Sequence, residues 1–120
     1  METPTIFESE YRFCQILWEV EPANSTELVK LCQQKLGWKK STTYTVIKRL
    51  SERGVVKLEN TVVTALVSRE QVQRSESREV IDRAFGGSLP RFIAAFAGGT
   101  KLTKAEAEEI RRLIDQYEEE

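Results

Sequence analysis

The chain contains no histidine, and that one absence removes the commonest general base and the commonest metal ligand together. Neither GxxxxGK(S/T) nor GxGxxG occurs, so the usual phosphate cradles are missing as well. Cysteine is scarce. Cys14 and Cys32 lack CxxC spacing and fall in segments of helical pattern, which reads as two small buried hydrophobes and not a disulfide or redox pair. No apolar run approaches the ~18 residues a spanning helix needs. The N-terminal "METPTIFESEYRF" lacks the basic-then-apolar order of a secretory signal. A cytoplasmic protein without a cofactor or metal is therefore expected, and enzyme chemistry is disfavoured.

Charge is plentiful but unevenly placed. The 120 residues sum to a formal net charge of −1, with a sequence pI of about 5.7. Between Lys35 and Lys57, however, seven Lys/Arg (35, 39, 40, 48, 49, 53, 57) face a single acid, Glu52. Between Lys101 and Glu120 four bases face seven acids. A local positive field steers polyanions whatever the total charge, so this asymmetry speaks about partners.

The spacing of apolar residues predicts three helices, a hairpin and three more helices. Phe13, Cys14, Ile16, Leu17 and Val20 make a helical stripe from about Phe7 or Glu8 to Val20, opened by a Thr5–Glu8 capping box and stopped by Pro22. Asn24, with Glu27 after it, caps a second helix bearing Leu28, Leu31, Cys32 and Leu36, which Gly37 ends. Thr43, Val46, Ile47 and Leu50 form one narrow face of a third, terminated by Gly54. "VVKLE" and "TVVTALV", parted at Asn60, read as a two-stranded hairpin. Ser68–Gln71 and Thr103–Glu106 are further capping boxes; between them lie the breaks Gly86-Gly87 and Gly98-Gly99, which bound a short apolar helix at 88–97. The closing acidic "EEE" reads as a solvated tail.

The expected fold class is mainly α with a small β-hairpin, a winged helix-turn-helix over residues 1–67 followed by helical residues 68–120. In such a fold the third helix packs one face on its scaffold and offers the other to the major groove. Ser41, Thr45 and Lys48 point directly away from the apolar face, with Tyr44 and Arg49 on its shoulders. Small hydroxyls permit close approach, and Lys or Arg reaches guanine or phosphate. Lys39 and Lys40 precede the helix, where free N–H groups also attract phosphate. Ser41, Thr42, Tyr44, Thr45, Lys48 and Arg49 are the candidate DNA contacts, with Lys39, Lys40 and Lys57 on phosphates. The competing reading is a solvated Lys-rich helix, and Arg49 could instead tie the helix to the scaffold. Trp18 and Trp38 read as packing aromatics.

The stretch "SEYRFCQILWEVEPANSTELVKLCQQKLGWKKSTTYTVIKRLSERGVV" resembles the N-terminal half of penicillinase and methicillin-resistance repressors of the BlaI/MecI type. The resemblance rests on Glu10, Tyr11, Leu17-Trp18, Glu27-Leu28, Trp38, Thr42, Thr45, Val46, Ile47, Arg49, Leu50 and Gly54. It implies a homodimeric repressor on a palindromic operator, joined through its C-terminal helices and relieved by proteolysis that a membrane sensor protease performs or triggers. Three departures stand out. The wing segment "ENTVVTA" has no basic residue. Ala95-Phe96 stands where the family's cleavage junction is Asn-Phe. The tail has no cysteine after Cys32, and so no CxC pair of the copper-responsive kind.

The C-terminal apolar residues Phe85, Leu89, Phe92, Ile93, Phe96, Leu102, Ile110, Leu113, Ile114 and Tyr117 exceed what short helices bury by themselves. A symmetric dimer would cover them by setting one patch against itself; folding back on the winged helix is the alternative. For the molecule as a whole, the reading from another class is a winged-helix protein-interaction module without sequence-specific DNA binding.

Overall fold

The computed structural model describes residues 3–118, so Glu119 and Glu120 of the acidic tail lie outside the described residues. The elements are α1 (Glu8–Val20), β1 (Ala23–Asn24), α2 (Ser25–Leu36), α3 (Lys40–Glu52), β2 (Val56–Glu59), β3 (Val62–Ala65), α4 (Arg69–Phe85), α5 (Leu89–Gly99) and α6 (Lys104–Tyr117). This is a mainly helical winged-helix order with a small antiparallel sheet. None of these helices is long and apolar enough to cross a membrane. The chain divides into two units, Met1–Glu76 and Ser77–Glu120, with the division inside α4.

In the first unit, α1 buries Phe13, Cys14, Ile16 and Leu17, the residues its 3.6-residue period aligns. The expected Thr5–Glu8 capping box does not form. Phe7 is the N-cap, and its N–H donates to Glu10 Oε1 at 3.0 Å. Phe7 offers no side-chain acceptor, so only the backbone half of that arrangement is possible. Asn24 caps α2 through its Oδ1, which accepts the Thr26 N–H at 3.0 Å. At the other end Gly37 takes φ 70°, letting its own N–H and that of Trp38 reach the free carbonyls of Gln33 and Cys32. Trp38 then stacks on Phe13, with ring centroids 6.5 Å apart and planes within 3°.

The stripe of α3 is buried as its spacing requires, with Thr43, Val46, Ile47 and Leu50 at most 5% exposed. The hairpin pairs Val56 with Ala65 and Glu59 with Val62 across a turn whose residues, Asn60 and Thr61, take φ 51° and 66°. Two positive φ values match the right-handed twist of the strands. Thr61 is β-branched and ill suited to that region, but its backbone carbonyl accepts the Ser25 N–H at 2.8 Å and its Oγ1 accepts from Asn24 Nδ2 at 3.1 Å. Those bonds lie at the end of a third strand absent from the two-stranded expectation. β1 pairs Ala23 with Val63 and Asn24 with Val62, giving the sheet order β1-β3-β2. A two-residue strand has no periodicity to read.

The start of α4 belongs to this unit too. Ser68 and Gln71 cap each other reciprocally, at 2.8 and 3.1 Å, and Val72 enters the core. Trp18 Nε1 donates to the Val67 carbonyl at 3.0 Å, while the Arg69 guanidinium lies 5.6 Å above the Trp18 ring. Both tryptophans are thus packing groups.

In the second unit, Gly86 and Gly87 take φ 57° and 83° and break the chain between α4 and α5. Phe85 and Phe92 meet edge to face across that break at 5.4 Å. Gly98 and Gly99, expected to bound α5, are its last two residues, and the helix stops where Thr100 turns extended. Thr103 and Glu106 close the capping box of α6, each bond 3.1 Å. Neither α5 nor α6 buries a residue. Leu89, Ile93, Phe96, Leu113, Ile114 and Tyr117 stand exposed, from 45% at Ile93 to 76% at Tyr117.

Candidate nucleic-acid interface

The division of α3 into two faces builds the site. Opposite its buried stripe, Ser41, Thr42, Thr45, Lys48 and Arg49 are exposed, with Lys39 and Lys40 exposed at its start. Thr45 donates its hydroxyl proton to the Ser41 carbonyl at 2.9 Å. It therefore presents a methyl group and an acceptor oxygen outward, which suit a thymine methyl and a base amino group. Tyr44, a shoulder residue on the wheel, has partners of its own. It is half buried, its hydroxyl lies 3.4 Å from Ser25 Oγ at the start of α2, and Lys40 Nζ rests 5.9 Å above its ring.

The N-terminus of α3 is chemically distinct. α2, α5 and α6 open with a side chain that accepts from the first turn. α3 has Lys39 as N-cap, no side-chain cap and no acid in its first turn. Unmet N–H groups beside Lys39 and Lys40 form an anion-attracting end.

Lys57 projects from β2, and with Tyr44, Ile47, Lys48, Ser51, Val56, Leu58 and Leu66 it lines an open groove of ≈ 650 Å³ between α3 and the hairpin. Its ammonium is 2.6 Å from Glu59 Oε2. That hydrogen bond and charge raise the Lys57 pKa and lower that of Glu59. The one cation of the hairpin is therefore partly neutralised. Glu59→Gln should free it, raising affinity for duplex DNA about two- to threefold and steepening the salt dependence by up to about one unit of slope. Fluorescence anisotropy against salt concentration measures this; unchanged affinity would place Lys57 off the DNA.

Sequence reasoning missed Arg53 and the burial of Glu10. Glu10 shares the inward face of α1 with Phe13, Cys14 and Leu17 and is only 4% exposed. Arg53, the C-cap of α3, donates from Nη1 to Glu10 Oε2 at 3.1 Å, from Nη2 to Glu10 Oε1, and from Nη2 to the Thr5 carbonyl at 3.2 Å. Its guanidinium sits 5.3 Å above the Phe7 ring. Burial alone would push the Glu10 pKa up. The Arg53 hydrogen bonds, the Phe7 N–H and the charges of Arg53 and Arg49 together bring it below the ordinary value. An acid inside an apolar stripe was the available signal, because a buried carboxylate needs a cation.

Cys14 and Cys32 are free and buried, and burial, with Glu10 nearby, pushes the Cys14 thiol up to about 12. The Ala95-Phe96 peptide lies within α5, with both residues exposed.

Residues 6–116 match the penicillinase repressor family. Over 119 residues the chain is 24% identical to the methicillin resistance regulatory protein MecI of Staphylococcus aureus (strain Mu50 / ATCC 700699), covering 96% of this chain and 97% of MecI. It is 27% identical over 116 residues to an uncharacterized 16.5 kDa protein in the ptsI 3' region of Latilactobacillus sakei, covering 93% and 80% of the two chains. The solution structure of Bacillus licheniformis BlaI, in monomeric form in complex with the blaP half-operator, superposes with a TM-score of 0.52 at 22% identity. That match covers 59% of this chain and 93% of the solved chain and is a likeness of fold. The chain belongs to the penicillinase repressor family, a family of transcriptional repressors and not of enzymes.

Proposed function

We propose that the chain is a cytoplasmic, homodimeric transcriptional repressor that sets α3 of each protomer into the major groove of a palindromic operator. The division of α3 carries this reading: a buried stripe on one side, and on the other a polar face opened by an uncapped basic N-terminus. Ser41, Thr42, Thr45, Lys48 and Arg49 face the bases, and Lys39, Lys40 and Lys57 the phosphates. Tyr44 joins the contact from the shoulder of the helix, beside Ser25. The structure of BlaI with its half-operator and the regulatory role in the name of MecI support the same direction. In this reading residues 1–67 read the DNA and 68–120 dimerise, with Phe85, Leu89, Phe92, Ile93, Phe96, Ile110, Leu113, Ile114 and Tyr117 at the interface. A membrane sensor protease, or proteolysis it triggers, would relieve repression by cleavage in the C-terminal region, with Ala95-Phe96 as the candidate junction.

Thr45→Ala and Lys48→Ala test the recognition-helix assignment. Thr45→Ala should cost about 1–3 kcal/mol on a selected duplex and relax preference at one position. Lys48→Ala should do the same at a second position, whereas Lys39→Ala, on a phosphate, should weaken all sequences alike and lower the salt slope by about one. Unchanged affinity in the first two would remove α3 from the interface.

The neutralised Lys57 and the exposed Leu58 and Leu66 beside it favour one other reading, a protein-interaction module using the same surface. That module would show no salt-dependent binding to random duplex.

A further inference from the structure

A helix seated on a single apolar stripe is held firmly against being pulled away but weakly against rolling about its own axis, because apolar contacts are non-directional. A recognition helix cannot tolerate roll. Its reading groups must stay within roughly 0.5 Å and 10–20° of their productive geometry. α3 therefore needs a directional contact as well, and the sole charge-assisted anchor seen for it among the described residues is at its C-terminal end.

That anchor is the Arg53–Glu10 pair. Two guanidinium nitrogens meet two carboxylate oxygens, a fork-to-fork arrangement that fixes orientation as well as distance. Each partner is itself held. Glu10 accepts the Phe7 N–H, and Arg53 donates to the Thr5 carbonyl and covers the Phe7 ring. The knot joins the segment before α1, the inward face of α1 and the end of α3.

Stability alone is a poor explanation for such a pair. Arg53 Nε is buried without a hydrogen-bond partner, which costs free energy. Well-packed apolar residues in place of a buried ion pair are often as stable or more so. What apolar replacements cannot supply is direction.

The geometry points to Arg53 and Glu10 as positioning residues that set the roll of the recognition helix, and hence its sequence discrimination. This rests on the repressor reading above. The pair touches no DNA; it acts through Thr45 and Lys48. Loss of the pair leaves the cations Lys39, Lys40 and Lys48 in place, so sequence-independent attraction survives while base readout blurs.

The test uses the full chain and two duplexes. One is selected by the wild-type protein from a random-sequence pool, and the other is a scrambled duplex of the same length and composition. Arg53→Lys keeps the charge and loses the fork. It should lower affinity for the selected duplex about tenfold, the size of one lost base contact, while affinity for the scrambled one changes less than about twofold. The double variant Glu10→Leu/Arg53→Met should keep a wild-type melting temperature and lose the same discrimination, a split that a merely structural role would not give. Glu10→Gln serves if the double variant does not fold. A lowered melting temperature with an unchanged ratio of affinities would overturn the positioning role. If the wild-type protein enriches no sequence from the pool, the repressor reading itself fails, and this inference with it.

Discussion

Phe96→Glu with Ile114→Glu should leave the proposed dimer monomeric and weaken its hold on a duplex of two half-sites by about 10²–10³-fold. Both side chains are more than half exposed, so the substitutions cost little within one protomer. A two-fold interface sets each patch against itself, so every introduced carboxylate would meet apolar surface or a like charge. α5 and α6 have apolar rows and no buried residue, which is how an unmet self-complementary face looks in one chain. Once the dimer is lost, the second half-site no longer binds as an intramolecular event, and the gain from effective concentration goes with it. Sedimentation equilibrium gives the mass, and anisotropy on duplexes with one or two half-sites gives the affinities. A variant that stays dimeric, or a wild-type protein that holds one half-site as tightly as two, would move the dimer contact elsewhere.

Phe13→Ala costs about 3–5 kcal/mol in the winged-helix unit. Phe13 is fully buried and stacked on Trp38, so truncation opens a cavity beside the residue that leads into α3. With total stabilities of about 5–15 kcal/mol in such domains, the loss approaches the threshold for folding. Urea unfolding followed by tryptophan fluorescence reads this directly, because Trp18 and Trp38 both belong to the Met1–Glu76 unit. A loss below about 1 kcal/mol would show that α1 is not seated through Phe13.

Features carried by a local pattern were legible in the chain. The stripe Thr43, Val46, Ile47 and Leu50 needs only the helical period. The reciprocal caps Ser68–Gln71 and Thr103–Glu106 need only a spacing of three, and the turn at Asn60 needs only its flanking β-branched runs. The same rule misplaced the cap of α1. Thr5–Glu8 satisfies the spacing, but Glu10 is held in place by Arg53 and receives the Phe7 N–H instead. What could not be read joins residues far apart in sequence. β1 exists because Ala23 and Asn24 meet Val63 and Val62, and Glu10 is buried because Arg53 arrives 43 residues later. In the candidate site, the exposed face of α3 followed from the wheel. The anchoring of Tyr44 on Ser25 and the pairing of Lys57 with Glu59 depend on neighbours that the wheel does not contain.

The recognition-helix assignment is tested most directly by the affinity of the wild-type protein for its selected duplex, measured across salt concentrations. Three cations per protomer on phosphates, Lys39, Lys40 and Lys57, predict a straight line of log K against log salt with a slope of about −5 for a dimer. A flat line would contradict it and leave the exposed face of α3 to a protein partner.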